Sequence, residues 1–326
     1  MTIIECYRTA LSSKRTTQDD FLLYSFRDSL FLGFDIEGNL CAVVKSAGFS
    51  SSPIIQITKL LSVECNIHLA YSLDGSEKKS NLVHIIRCFS QIEKEREMFL
   101  ELIDAMIPTG KAMDDEVMEV FRTLAKFFAD KTEPSDSELI GLYAEIDAII
   151  NFHPQLDLAR YWQSKDRLKF DFSFSEKFKL EVKATTKTFR THHFRHEQLN
   201  TEIFDIFILS YMLRYDDEGK SLYDMLQEVK PLIKTNTKKL TRINSILKNV
   251  TEERLRAIKF SPEFTAEKRH FFDAKLVPKF PEGTPEGVAN AEYDCSLENI
   301  DFIPDSSFVI LAKKAIEEEL SDGTAQ

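Results

Sequence analysis

The sequence predicts an α/β (α+β) protein with a β-rich N-terminal domain and a mixed α/β part behind it. Three observations carry this. Up to about residue 90, short runs rich in Val, Ile, Leu and Phe alternate with turn chemistry. The hydrophobic period then changes to that of a helix through about residue 150. Extended runs return between residues 168 and 213, and helical periods follow them.

Taken in order, the strand candidates are Phe21–Phe26, Leu30–Ile36, Leu40–Lys45, Val63–Ser72 and Asn81–Phe89. Glu37-Gly38-Asn39 and Asp74-Gly75 supply the turns between them. From Gln91 to Met106 the residues Ile92, Met98, Phe99, Ile103 and Met106 fall on one helical side, ended by Pro108-Thr109-Gly110. A second helix over Asp114–Phe128 carries Val117, Val120, Phe121, Leu124 and Phe128 in one stripe. A third follows Pro134, with Ser135 as N-cap and Glu138 closing a capping box, and reaches about Ile150.

Leu168–Phe174 and Phe178–Thr185 are predicted strands joined by the polar turn Ser175-Glu176-Lys177. Ile203–Leu213 is a continuous apolar run, as expected of a buried central strand. Helices are predicted at Leu222–Ile233, Lys238–Lys248, Glu252–Ile258 and Phe308–Leu320, with Pro278, Pro281 and Pro285 marking a loop. This divides the chain into a β-rich domain (1–107), a helical linker (108–134), an α/β domain (135–260) and a helical C-terminal extension with an acidic tail (261–326). No internal repeat is visible.

Composition excludes several classes. The net charge over 326 residues is −11, which argues against a protein that coats nucleic acid with its whole surface. Only ten glycines occur, no two in G-x-G spacing, and Asn39 follows Gly38 where a P-loop needs Lys. The five cysteines (6, 41, 65, 88 and 295) form no C-x-x-C, so no disulfide framework or zinc knuckle is indicated. No signal peptide or transmembrane run is seen, so a reduced, cytoplasmic protein without a membrane partner is expected.

The charge is unevenly placed. Residues 160–195 hold ten basic and four acidic side chains, and residues 230–259 hold nine and two. Residues 282–326 hold two and eleven. Such blocks are usually solvated surface. Here, however, the first basic island surrounds a carboxylate pair.

That pair is Asp171 and Glu181, ten positions apart, with Lys183 two after Glu181. On a strand, residues i and i+2 share a face, so Glu181 and Lys183 project together while Leu180 and Val182 point to the core. If the two strands form a hairpin, Asp171 comes alongside Glu181. Two carboxylates so close repel unless a cation sits between them. Oxygen ligands of this kind suit Mg²⁺, with Mn²⁺ as a substitute. The chemistry allowed is metal-assisted phosphodiester hydrolysis, with Lys183 orienting water or stabilising the transition state. E-x-K on a strand is also an ordinary exposed charge pair.

The wider segment tips that balance. It comprises the helix Leu139-Ile-Gly141-Leu-Tyr-Ala-Glu145, the lone Trp162, Asp171, and Glu181-Val-Lys183-Ala-Thr-Thr. Arg190-x-His192, Phe194 and Gln198-Leu199 follow. With these residues the chain resembles the PD-(D/E)XK phosphodiesterases of the restriction-endonuclease-like superfamily, and more closely the bacterial PD-(D/E)XK motif proteins. The specific residues lie at about 138–200. Phe170 stands where the name's Pro would be.

The resemblance implies a restriction-endonuclease-like mixed sheet flanked by helices on both sides. It implies Glu145, Asp171 and Glu181 as metal ligands, and Asp171, Glu181 and Lys183 as the catalytic triplet. The activity implied is an Mg²⁺-dependent DNA endonuclease in bacterial restriction or anti-phage defence. DNA, a second copy of the chain and other defence proteins are its expected partners.

Past Lys183, the stretch Lys187–Leu199 interleaves Arg190, His192, His193, Arg195 and His196 with Phe189 and Phe194. Arginines suit phosphate contact, and rings suit base stacking. Lys187, Arg190, His192 and Gln198 are the candidate nucleic-acid contacts. Two rival readings remain open. A catalytically silent DNA- or protein-binding subunit would keep the fold without the activity. A zinc hydrolase would use His192 and His196, whose H-x₃-H spacing fits Zn²⁺ if the segment is helical.

Overall fold

The computed structural model describes residues 1–13, 16–17, 21–48, 54–76, 78–162, 170–199, 201–280 and 291–323. The chain opens with α1 (Ile3–Ser12), β1 (Phe21–Arg27), β2 (Leu30–Phe34), β3 (Leu40–Lys45) and β4 (Ile54–Ile57). Then come β5 (Leu61–Leu73), β6 (Lys78–Cys88), α2 (Glu93–Met106) and α3 (Asp114–Ala129). Next are α4 (Asp136–Phe152), α5 (Leu158–Tyr161), β7 (Phe172–Ser173), β8 (Phe178–Thr185), β9 (Thr191–Arg195) and a 3-10 turn (His196–Leu199). After it follow β10 (Asp205–Met212), β11 (Tyr215–Ser221), α6 (Leu222–Ile233), α7 (Thr237–Asn249) and α8 (Glu252–Ala257). β12 (Lys259–Phe260), α9 (Pro262–Lys268), β13 (His270–Asp273), β14 (Glu292–Ser296) and α10 (Asp305–Gly323) complete it.

Two compact units result: residues 1–132 with 235–249, and residues 133–234 with 250–326. The division differs from the expected one, because α7 belongs to the first unit and everything after residue 250 to the second.

In the first unit the strand order is β1-β2-β3-β6-β5-β4, and β1 also pairs in parallel with β5, closing the sheet on itself. Leu23, Phe31, Cys41, Val43, Tyr71, Val83 and Ile85 pack together inside. The β2–β3 hairpin turns at Gly38 (φ 82°), while Asp35 Oδ1 accepts from the amides of Glu37 and Asn39. Gly33 is required by close approach: a Cβ there would lie 2.5 Å from the Leu22 carbonyl oxygen. α1 was not anticipated, although Thr2 and Glu5 form its capping box.

In the second unit a mixed sheet runs β13-β10-β8-β7. β8 and β10 are parallel, from Asp205 opposite Phe178 to Met212 opposite Thr185. β7 and β13 pair antiparallel at the edges. α4 starts at the expected Ser135–Glu138 capping box. It packs with α10 against one face, where the Phe271 ring lies 5.5 Å from that of Phe152 and 4.0 Å from that of Phe308.

Helices were expected on the other face as well. That face, which bears Glu181, Lys183, Ile208 and Ser210, is instead covered by the β9–β14 ribbon. Phe194, Cys295 and Leu297 of the ribbon seal a core with Ile206, Ile208 and Phe272. The expected helical C-terminal extension is therefore part of the domain, because it supplies β13 and β14. Among the described residues of the strand expected at Leu168–Phe174, Phe172–Ser173 is regular. Leu168 and Lys169, like Arg167, Pro281 and Pro285, lie outside the described residues.

Candidate functional site

Asp171, Glu181 and Lys183 come together at the β7–β8 hairpin. Phe172 pairs with Leu180, which leaves Asp171 beside the β8 backbone, where its Oδ2 accepts from the Val182 amide at 2.7 Å. Glu181 and Lys183 share a face of β8, and Lys183 Nζ lies 2.9 Å from Glu181 Oε1. Glu181 is buried, and its second oxygen, Oε2, has no hydrogen-bond partner. Gln198, in the 3-10 turn, donates from Nε2 to Glu181 Oε1 and accepts from Lys183 Nζ at 3.1 Å. Lys183 also stands over the ring of Phe194, 5.2 Å from its centroid.

The electrostatics follow from burial. Asp171 is held well above the usual carboxylate range, first by burial, then by the charges of Glu181 and Glu145. Glu181 is raised by burial against the opposing pull of Lys183, and Glu145 adds to the rise. The charge of Glu145 therefore reaches both Asp171 and Glu181.

The donor set fits a hard divalent cation: a buried Glu181 with an unpaired oxygen beside a half-buried Asp171. A cation there would offset the repulsion. Glu145, on α4, is buried, and its Oε2 accepts from Trp162 Nε1 at 2.6 Å. Among the described residues no three His, Cys, Asp or Glu side chains already surround one point closely enough to hold an ion.

Of the expected nucleic-acid contacts, Gln198 reaches the centre, Lys187 is exposed, and Arg190 and His192 turn inward. Arg190 is buried. Its Nη1 donates to Ser210 Oγ at 2.7 Å and Ser210 O at 3.0 Å, and its Nη2 to Lys268 O at 2.6 Å. His192 Nε2 lies 2.6 Å from Ser210 Oγ. Burial, helped by the charges of Arg190 and Lys183, pushes its pKa down to about 3, so the ring is neutral at physiological pH. These two residues brace β9 onto β10 through Ser210.

The zinc reading also fails on geometry. The segment is a strand, so His192 and His196 are not one helical turn apart, and His196 Nδ1 instead meets Tyr293 Oη at 3.1 Å. Of the expected stacking rings, Phe194 is buried and Phe189 exposed.

A family model described as "Putative PD-(D/E)XK family member (DUF4420)" matches residues 10–298. The chain belongs to this family. Comparison with the curated proteins and with the solved structures finds no match. The match to the PD-(D/E)XK family spans both compact units, so the closed β unit is part of what the family shares.

Three partners in this candidate site were not read as such from the sequence. Ser210 is the hub for Arg190 and His192, Trp162 tethers Glu145, and Phe194 lies under Lys183. Ser210 had a signal, as the one serine inside an apolar strand run, where a buried polar group needs partners. The other two arise from pairings that no local pattern reports.

Proposed function

We propose that the protein is a metal-dependent endodeoxyribonuclease that hydrolyses phosphodiester bonds with Mg²⁺, for which Mn²⁺ substitutes. One observation carries the reading: Glu181 is buried with an unpaired oxygen, beside a half-buried Asp171 and in contact with Lys183. An ordinary exposed charge pair would sit in water. A buried Glu181 with a second carboxylate and only one ammonium beside it costs stability unless a cation completes the site.

Asp171 and Glu181 would hold the ion, with Glu145 assisting. When bound, the ion polarises the phosphate and lowers the pKa of a water. Lys183 places its ammonium where negative charge develops on the phosphate. Gln198 fixes both Glu181 and Lys183 through its two amide atoms. Lys187, exposed just past β8, is the candidate contact to the nucleic-acid backbone. The resemblance supports a setting in restriction or anti-phage defence, with a second copy of the chain or other defence proteins completing a double-strand cut.

Purified protein should nick supercoiled DNA in Mg²⁺ or Mn²⁺, and Lys183→Ala should lower the rate at least about 100-fold without lowering the unfolding temperature. Equal nicking by the variant contradicts the reading. The engagement of Glu145 by Trp162 favours a second reading, a catalytically silent binding subunit. That reading expects no thermal stabilisation by millimolar Mg²⁺. The nuclease reading expects stabilisation that is lost in Glu181→Ala.

A further inference from the structure

We propose that the rings of Phe280, Tyr293 and His196 form a stacking platform for an unpaired base of the DNA strand engaged at the Glu181–Lys183 site. The inference rests on the nuclease reading and names the substrate class as single-stranded DNA or DNA with an unpaired segment.

The platform is built by non-local pairing. β14 aligns with β9, placing Tyr293 opposite Phe194, and the Tyr293 hydroxyl lies 3.1 Å from His196 Nδ1. The Phe280 ring stands edge-on to Tyr293, with centroids 5.1 Å apart. His196 is 6.1 Å from Tyr293 and 6.3 Å from Phe280. Phe280 leaves 55% of its surface to solvent, a large apolar exposure next to two half-buried rings.

Its position gives the cluster a meaning. His196 opens the same 3-10 turn that carries Gln198, the residue bridging Glu181 and Lys183. Two residues of such a turn rise about 4 Å. The ring cluster is thus anchored on the turn that holds Gln198 at the site. Arg195 precedes them, 71% exposed at its side chain and 3.2 Å from Glu292.

Every base has a π face, so rings of this kind bind single strands with little regard to sequence. A duplex keeps its bases stacked on one another and offers none. Phe194, also near the site, lies under Lys183 and is buried.

The test is a titration of the full chain, in EDTA, with a short thymidine oligomer carrying one central 2-aminopurine. Stacking quenches the fluorescence of that base. Wild type should quench it and bind the single strand more tightly than the same oligomer in duplex. Phe280→Ala and Phe280→Leu should weaken binding about tenfold with unchanged unfolding temperature, whereas Phe280→Tyr, which keeps a ring, should bind like wild type.

Absence of quenching overturns the platform. So does wild-type binding by the Ala and Leu variants, which would leave the rings to a protein partner or to packing alone. EDTA keeps hydrolysis out of the measurement. Quenching without cleavage in Mg²⁺ keeps the platform and defeats the nuclease reading, and cleavage without quenching does the reverse.

Discussion

At the scale of single residues, His192 behaves unlike the loop histidine its neighbours suggest. It faces inward, neutral, against Ser210. Its folded-state pKa, about 3, lies below the ordinary 6.5. A depressed histidine gives stability that is present above pH 6.5 and lost as pH falls from there towards 3. Wild type should therefore lose about 2–3 kcal/mol between pH 7 and pH 4 from this group. Denaturant unfolding at both values should show a smaller loss in His192→Gln, and parallel losses would contradict the assignment. Asp171, Glu181 and Lys183 were legible in the sequence because i, i+2 spacing on a strand fixes a shared face. The inward turn of Arg190 and His192 was not, because it depends on a hydroxyl supplied by another strand.

Among elements, β8 and α6 lie where the sequence predicts, and β3 does too, since each has a strong period and clear turn or cap chemistry at its ends. β13 and β14 escaped notice. They are four and five residues long, and β14 pairs with β9 about a hundred positions earlier. Their stability comes from burial that only tertiary pairing creates. Close packing of β1 on β2 gives a prediction of its own. Gly33→Ala would press a methyl against the Leu22 carbonyl and Leu23 Cδ2. It should cost about 2–3 kcal/mol, as overpacking does, and chemical denaturation measures it. A cost below about 0.5 kcal/mol, the range of ordinary surface changes, would mean that β1 and β2 are less tightly apposed.

For the whole molecule, the net charge of −11 first spoke against nucleic acid, and the basic blocks at 160–195 and 230–259 spoke for it. Several of the basic side chains in these blocks have partners within the chain. Lys183 pairs with Glu181, Arg190 is buried, and Arg195 pairs with Glu292. Lys248 donates to the Asp130 carbonyl, Arg254 pairs with Glu133 and Asp136, and Arg256 with Asp224 and Glu252. These engaged cations are withheld from a phosphate backbone. The slope of log affinity against log salt should be about −2, and a slope steeper than about −6 would show a broad basic interface instead. Among the described residues, no helix is long and apolar enough to cross a membrane.

The central claim is that Asp171 and Glu181 hold one divalent cation beside Lys183. Anomalous diffraction from crystals soaked in Mn²⁺ tests it most directly. The account predicts a peak within about 2.0–2.3 Å of an oxygen from each carboxylate, lost in Glu181→Ala crystals. A fully soaked crystal with no peak between them, or with its only peak elsewhere, would contradict it.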